Sequence, residues 1–199
     1  IGVPTGGSSN WFGSGGNIAV LTGADGRFVV DAGVDTSRPQ LAEALAKTGA
    51  QSITHVVNTH WHFDHTGGND WLHAAGATIV AHENTRKHMS KSTRVDDWKH
   101  TFPPSAAAAL PQVIVTERHE VRVNGETIVL EPYGPCHTDS DISVRFTNAD
   151  VLQTGDTWWN RQFPFIDYST GGSITGTIRA AEANVAAAGA GTLVIPGHG

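Results

Sequence analysis

Residues 58–69 read Asn-Thr-His-Trp-His-Phe-Asp-His-Thr-Gly-Gly-Asn. Four potential metal donors, His60, His62, Asp64 and His65, fall within six residues, directly after the apolar run at 53–57. In extended backbone His60 and His62 are two apart and point the same way. Asp64 and His65 follow where the chain turns, and Gly67-Gly68 lets the backbone turn tightly beside a ligand. Imidazole and carboxylate together suit zinc, iron or manganese. Three later segments repeat the pattern of an apolar run that ends in a donor. They are His137 in Gly134–Asp141, Asp156 after Leu152-Gln153-Thr154-Gly155, and His198 after Val194-Ile195-Pro196-Gly197. Each of these is weak alone, since one loop histidine or aspartate is ordinarily a surface or turn residue. Four strand ends that all deliver donors form a pattern chance does not favour.

The elements that position these donors are mostly short strands. Ala24-Asp25-Gly26 and Asn124-Gly125 each separate two apolar runs and signal hairpins. Further strands are expected at 53–58, 78–81, 113–116, 142–146, 151–154 and 192–195. Residues 36–48 carry Leu41, Ala44, Leu45 and Thr48 at helical spacing, and Gly49 ends them. Residues 83–88 read as a helical turn or two. Ser173 caps a helix to about residue 188, with Ile174, Ile178, Ala181 and Val185 on one face. Residues 90–111 read as a surface excursion or flap, and residues 1–16 as a Gly/Ser-rich loop with Trp11 and Phe12 as its bulky groups. Hairpins dominate and strict strand–helix–strand alternation is absent. The expected class is α+β, with two mixed, mostly antiparallel sheets packed together and helices outside.

The ordered set HxHxDH, loop His, Gly-Asp and Gly-His resembles the metallo-β-lactamase superfamily, from about residue 17 to the last residue. The stretch Phe163-Pro164-Phe165-Ile166-Asp167-Tyr168-Ser169-Thr170-Gly171-Gly172-Ser173 is similar to a subgroup of bacterial hydrolase-like members. The resemblance implies an αββα sandwich with the site at the strand ends along one edge, and two zinc ions per chain, with iron or manganese as other occupants. It assigns His60, His62 and His137 to the first ion, Asp64, His65 and His198 to the second, and Asp156 to a bridge between them. It implies a metal-bridging hydroxide that attacks a carbonyl centre in a lactone, ester, thioester or β-lactam-like amide, with Asp64 orienting the nucleophile or relaying a proton. An aspartate at position 156 is similar to hydroxyacylglutathione hydrolases and lactonases and unlike the zinc β-lactamases. The alternatives are a mononuclear iron oxygenase resembling persulfide dioxygenases, or a non-catalytic metal-binding protein. The expected organisation is one domain over residues 1–199 that lacks the C-terminal end of the family fold. On that reading His198 lies on a fraying terminus and binds its ion weakly.

Composition narrows the partners. The 199 residues carry 13 Lys+Arg against 19 Asp+Glu, a net charge of -6, with no long basic run, which disfavours nucleic acid. No apolar run reaches the roughly 18 residues of a membrane span. A single cysteine excludes an internal disulfide and a multi-cysteine metal site. Cys136 is expected to point away from the side to which His137 points, Asp139 and Asp141 to support the site or cap loops, and Asp31 to take a structural role. A small-molecule substrate is expected, in a pocket drawn from Trp61, Phe63, Trp158, Trp159, Phe165 and Tyr168, with Trp98 and Phe102 on the flap. The oligomeric state is left open. The chain starts at Ile1, which reads as a trimmed start, so a cytoplasmic or periplasmic location is left open too.

Overall fold

A computed structural model describes residues 15–199, so Trp11 and Phe12 lie outside the described residues. The first half runs β1 (Ala19–Gly23), β2 (Gly26–Val30), α1 (Arg38–Lys47), β3 (Ile53–Val57), α2 (Phe63–Thr66), α3 (Asn69–Ala74), β4 (Thr78–His82), α4 (Glu83–Met89), β5 (Thr93–Val95), β6 (His100–Phe102) and β7 (Val113–Val115). The second half runs β8 (His119–Val123), β9 (Glu126–Pro132), β10 (Ile142–Phe146), β11 (Val151–Gln153), α5 (Ile174–Ala187) and β12 (Leu193–Ile195). One sheet has the order β1-β2-β3-β4-β7 and the other β12-β11-β10-β9-β8, while β5 and β6 form a separate hairpin.

Both sheets are mixed. The second is antiparallel except at the β11–β12 join. In the first, β1–β2 is antiparallel, but β2–β3, β3–β4 and β4–β7 are parallel. Strand–helix–strand alternation, which the sequence pattern did not show, therefore exists in β2–α1–β3 and β3–α3–β4. Its signal is weak because the helices are short and α3 directly follows the donor run.

Burial explains the strand pattern. Phe28 and Val30 face the second sheet and join Val57, Val80, Ile128, Leu130, Ile142 and Val144 in the central core. Val29, between them, faces the other way and packs with Val56 of β3 and with Leu41, Leu45 and Leu72 of the helical layer. A strand buried on both faces reads as a continuous apolar run. Asn124 and Gly125 both take positive φ (56 and 73), as a two-residue hairpin turn requires. Asp25 and Asn124 then exchange hydrogen bonds of 2.7 and 2.8 Å between their side chains and backbone N–H groups. These bonds pin the two sheets together at the end opposite the donors.

Helix α5 departs from expectation in its orientation. Ser173 caps it, its hydroxyl accepting from the Gly176 N–H. Ile174, Ile178 and Val185 do share a face, but that face is exposed, and Gly176, Thr177, Ala180 and Asn184 are buried. Close approach and polar anchoring outweigh apolar area here. A Cβ at Gly176 would lie 1.7 Å from the Pro135 carbonyl oxygen, and Asn184 donates to Thr157. Gly176→Ala should therefore destabilise the protein by about 1–3 kcal/mol through overpacking, despite alanine's better helix propensity. Urea denaturation checks this, and an unchanged or higher midpoint would show that α5 shifts freely.

Candidate metal centre

Strands from both sheets end at one edge of the sandwich. β2 ends before Asp31, β3 before Asn58–His60, β11 before Asp156, and β12 before His198, while the loop after β9 brings His137. The backbone turns sharply at two of these ends: Asp31 has φ 65 and Gly155 has φ 53. His60, His62, His65 and His137 are each at most 1% exposed and Asp156 is 2%. Three donor groups could each hold an ion: His60, His62 and His137; His60, His65 and Asp156; and Asp64, His65 and His198.

The hydrogen bonds made by the distal ring atoms set the tautomers. His62 Nε2 lies 3.1 Å from the Asp167 carboxylate, so it carries the proton and Nδ1 holds the lone pair. His137 Nδ1 donates to the Phe165 carbonyl oxygen, which leaves a lone pair on Nε2. Thr59 Oγ1 donates to Asp31 and so accepts from His60 Nδ1 at 3.2 Å, leaving a lone pair on His60 Nε2. These three lone pairs converge, with His62 Nδ1 3.0 Å from His60 Nε2 and 2.9 Å from His137 Nε2. Lone pairs cannot hydrogen-bond to one another, so this arrangement fits a cation.

The neighbouring side is carboxylate-rich. Asp156 Oδ2 lies 3.2 Å from His198 Nε2 and 3.5 Å from His137 Nε2, so it stands between the two donor groups. Its Oδ1 is buried and lies 3.1 Å from His65 Nε2. A Cβ at Gly197 would lie 1.9 Å from that oxygen, so only glycine fits there. Asp64 Oδ2 lies 3.2 Å from His198 Nε2 and 3.7 Å from His65 Nε2.

The family profile described as "Metallo-beta-lactamase superfamily" matches residues 11–198. The chain belongs to the metallo-beta-lactamase superfamily. It is 29% identical over 164 residues to a hydroxyacylglutathione hydrolase of Rhodospirillum rubrum, covering 80% of this chain and 55% of that one. It is 30% identical over 158 residues to a hydroxyacylglutathione hydrolase of a Polaromonas species, covering 78% and 52%. The chain thus spans about half the length of these curated relatives. Among solved structures, the BLEG-1 B3 metallo-beta-lactamase superposes with a TM-score of 0.78 at 19% identity, covering 100% of this chain and 91% of that one. A metallo-beta-lactamase from Pontibacter korlensis gives 0.76 at 18% identity, covering 100% and 92%. These two likenesses establish the fold.

Several supporting residues of this superfamily member come from far along the chain. Asp31, read from sequence as a structural residue, accepts from the Thr59 N–H at 2.7 Å and from His65 Nδ1 at 2.8 Å. Asn58 and Asn69 exchange amide hydrogen bonds, and Asn58 also donates to the His65 carbonyl at 3.0 Å. Asp167 lies in the stretch at 163–173, and nothing local in the sequence marks it as a histidine partner. Asp139 pairs with His88 at 2.8 Å, and Asp141 accepts from the Thr138 N–H at 2.7 Å. Cys136 is buried, and its thiol faces Gly134 and Asp141 rather than the donors.

The aromatic residues divide. Trp61 is 3% exposed and packs with Met89, Val95 and Ala109, so it supports the site instead of lining an open pocket. Phe63 stacks on Phe102 at 5.5 Å. Trp98, on the β5–β6 hairpin, lies 4.8 Å from the His62 ring and stacks on Phe165 at 5.2 Å. Phe165 and Tyr168 line a cavity of about 510 Å³ with Asp97, Trp98, Pro164 and Ile166. Trp159 packs against His198 at 4.7 Å, whereas Trp158 is half exposed. His198 does not fray: Gly197 N–H donates to Trp158 O, and Asn160 N–H donates to His198 O, both at 2.9 Å.

Charge separates the two sides of the centre. Burial, reinforced by the charge on His65, holds the His60 pKa well below its ordinary value. Burial likewise brings His137 down to about 4. Burial opposes a charge on His65 too, but the carboxylates of Asp156, Asp31 and Asp64 override it and hold its pKa well above the ordinary value. His198 rises to about 9: burial again opposes the charge, and Asp156 and Asp64 override it. At neutral pH the ion-free protein thus holds protons on His65 and His198, and an ion bound there must displace them. Zinc titration by calorimetry should show net proton release, as heats that vary with buffer ionisation enthalpy. Affinity should rise with pH up to about 9. Buffer-independent heats at neutral pH would contradict this charge state.

Proposed function

We propose that the chain is a dinuclear zinc hydrolase that opens a carbonyl compound, with His60, His62 and His137 holding one ion and Asp64, His65 and His198 the other. Asp156 lies between the two sets. The observation that carries this reading is the convergence of three imidazole lone pairs beside the buried Asp156 carboxylate. Zinc bound there supplies Lewis acidity and water with a pKa lowered to about 7.

The protein's own groups supply access and proton handling. The Asp64 and His198 side chains are 15% and 19% exposed, while the other donors are nearly sealed, so substrate enters from their side. Asp64 Oδ2, 3.2 Å from His198 Nε2, rests ionised and is placed to accept a proton from the attacking water and pass it to the leaving group. His65, fixed by Asp31, keeps Asp64 and Asp156 ionised. On the far side Trp98 and Phe165 present an apolar wall beside His62.

No lysine or arginine lines the neighbouring cavity, whose ionisable groups are Asp97 and Tyr168. That composition suits the apolar acyl part of a lactone, ester or thioester. The thioester choice is in line with relatives named hydroxyacylglutathione hydrolase.

Elemental analysis tests the reading first. The protein purified without added metal should carry about two zinc per chain, and His62→Ala should lose at least one. About one iron per chain would move the assignment to an oxygenase. In the zinc form, Asp64→Asn should lower kcat about 10²–10⁴-fold against the best ester or lactone, the range of a lost general acid or base. The same variant should melt close to wild type, and wild-type turnover with normal zinc would remove Asp64 from proton transfer.

A further inference from the structure

One short segment reaches two histidines of the same cluster by their outward ring atoms. The Phe165 carbonyl accepts from His137 Nδ1, and two residues later the Asp167 carboxylate accepts from His62 Nε2 at 3.1 Å. His62 and His137 lie 75 residues apart in sequence.

The carboxylate is fully buried and itself held from both oxygens. Asp167 Oδ1 accepts from the Ser169 and Thr170 N–H groups at 3.0 and 3.3 Å. Oδ2 accepts from the Thr170 hydroxyl at 2.6 Å, and that hydroxyl in turn accepts from the Trp61 indole at 3.1 Å. The Asp167 N–H bonds the His137 carbonyl at 2.8 Å, so the turn is fastened to the loop of one ligand while its side chain holds another.

We propose that Asp167 is a positioning residue for the three-histidine side, on the reading that those histidines hold an ion. Its carboxylate locks His62 in the Nε2–H tautomer and aims the Nδ1 lone pair at the convergence point. A neutral imidazole without that partner populates both tautomers and rotates its ring, and in one tautomer Nδ1 carries a proton and cannot bind an ion. The Thr170–Trp61 link makes the lock stiff, because moving Asp167 would strand the hydroxyl and the indole in a buried cluster.

The test uses the whole chain, stripped of metal and labelled with ¹⁵N at histidine. Long-range ¹H–¹⁵N spectra should show His62 protonated at Nε2 in the wild type, and a mixture of tautomers in Asp167→Ala. Competition with a chromophoric chelator should then show zinc affinity at one site falling about 10–100-fold, with the other site within about threefold. Asp167→Asn keeps an acceptor oxygen for the turn and removes the charge. It should fold as wild type by circular dichroism and lose affinity to an intermediate degree, and it decides the matter if the alanine variant unfolds. Ser169→Ala disturbs the same turn, where its hydroxyl accepts from the Asp96 N–H, and should leave tautomer and affinity unchanged.

An unchanged His62 tautomer in the Asp167 variants overturns the proposal, even if affinity falls, because the loss would then be structural. If the wild type binds no zinc, the hydrolase reading fails, and the tautomer spectra still decide the role of Asp167.

Discussion

The whole edge of the sandwich is organised by the cost of burying uncompensated lone pairs and carboxylates. Four histidines and Asp156 sit where water is almost excluded. A buried polar group without a partner is expensive, and several facing one another are more so. Two kinds of partner reduce that cost. Outward ring atoms are satisfied by Asp31, Thr59, Asp167 and the Phe165 carbonyl. Inward atoms are left facing one another, which is the feature that favours a cation at their centre.

Such a centre needs a rigid frame, because donor atoms must agree to within a few tenths of an ångström. The frame is the packed sandwich. Both sheets end at the same edge, and the interdigitated core of Phe28, Val30, Ile128, Leu130 and Ile142 holds their strand ends in register. The hairpin tips locked by Asp25 and Asn124 stop the sheets from rotating at the other end.

The donor run and its companions were legible in sequence because HxHxDH is local, and because the other donors each follow an apolar run. The Asn-Gly turn and most strands were legible for the same reason: turn chemistry and periodicity act over a few residues. The inward face of α5 was not, since it is chosen by contact with the Pro135 carbonyl and by the Asn184 bond rather than by apolar area. Nor were the roles of Asp31 and Asp167, whose histidine partners lie 34 and 105 residues away. Trp61 reads as a pocket residue because it sits between two donors, yet it packs into the Met89–Val95 cluster and donates to Thr170, contacts that lie far along the chain.

The stitching of Asn17 to the final segment has a consequence for assembly. Asn17 N–H donates to the Gly197 carbonyl at 2.8 Å, its side chain donates to Pro196 O at 3.0 Å, and its own carbonyl accepts from Gln153 at 2.9 Å. His198 also comes last among the donors. During synthesis the other six therefore emerge before the segment that completes the set. The donor set is incomplete until the segment after β12 docks beside Asn17. The complete set is thus a property of the finished fold, and an ion that needed all seven donors would report that the segments before β1 and after β12 have met.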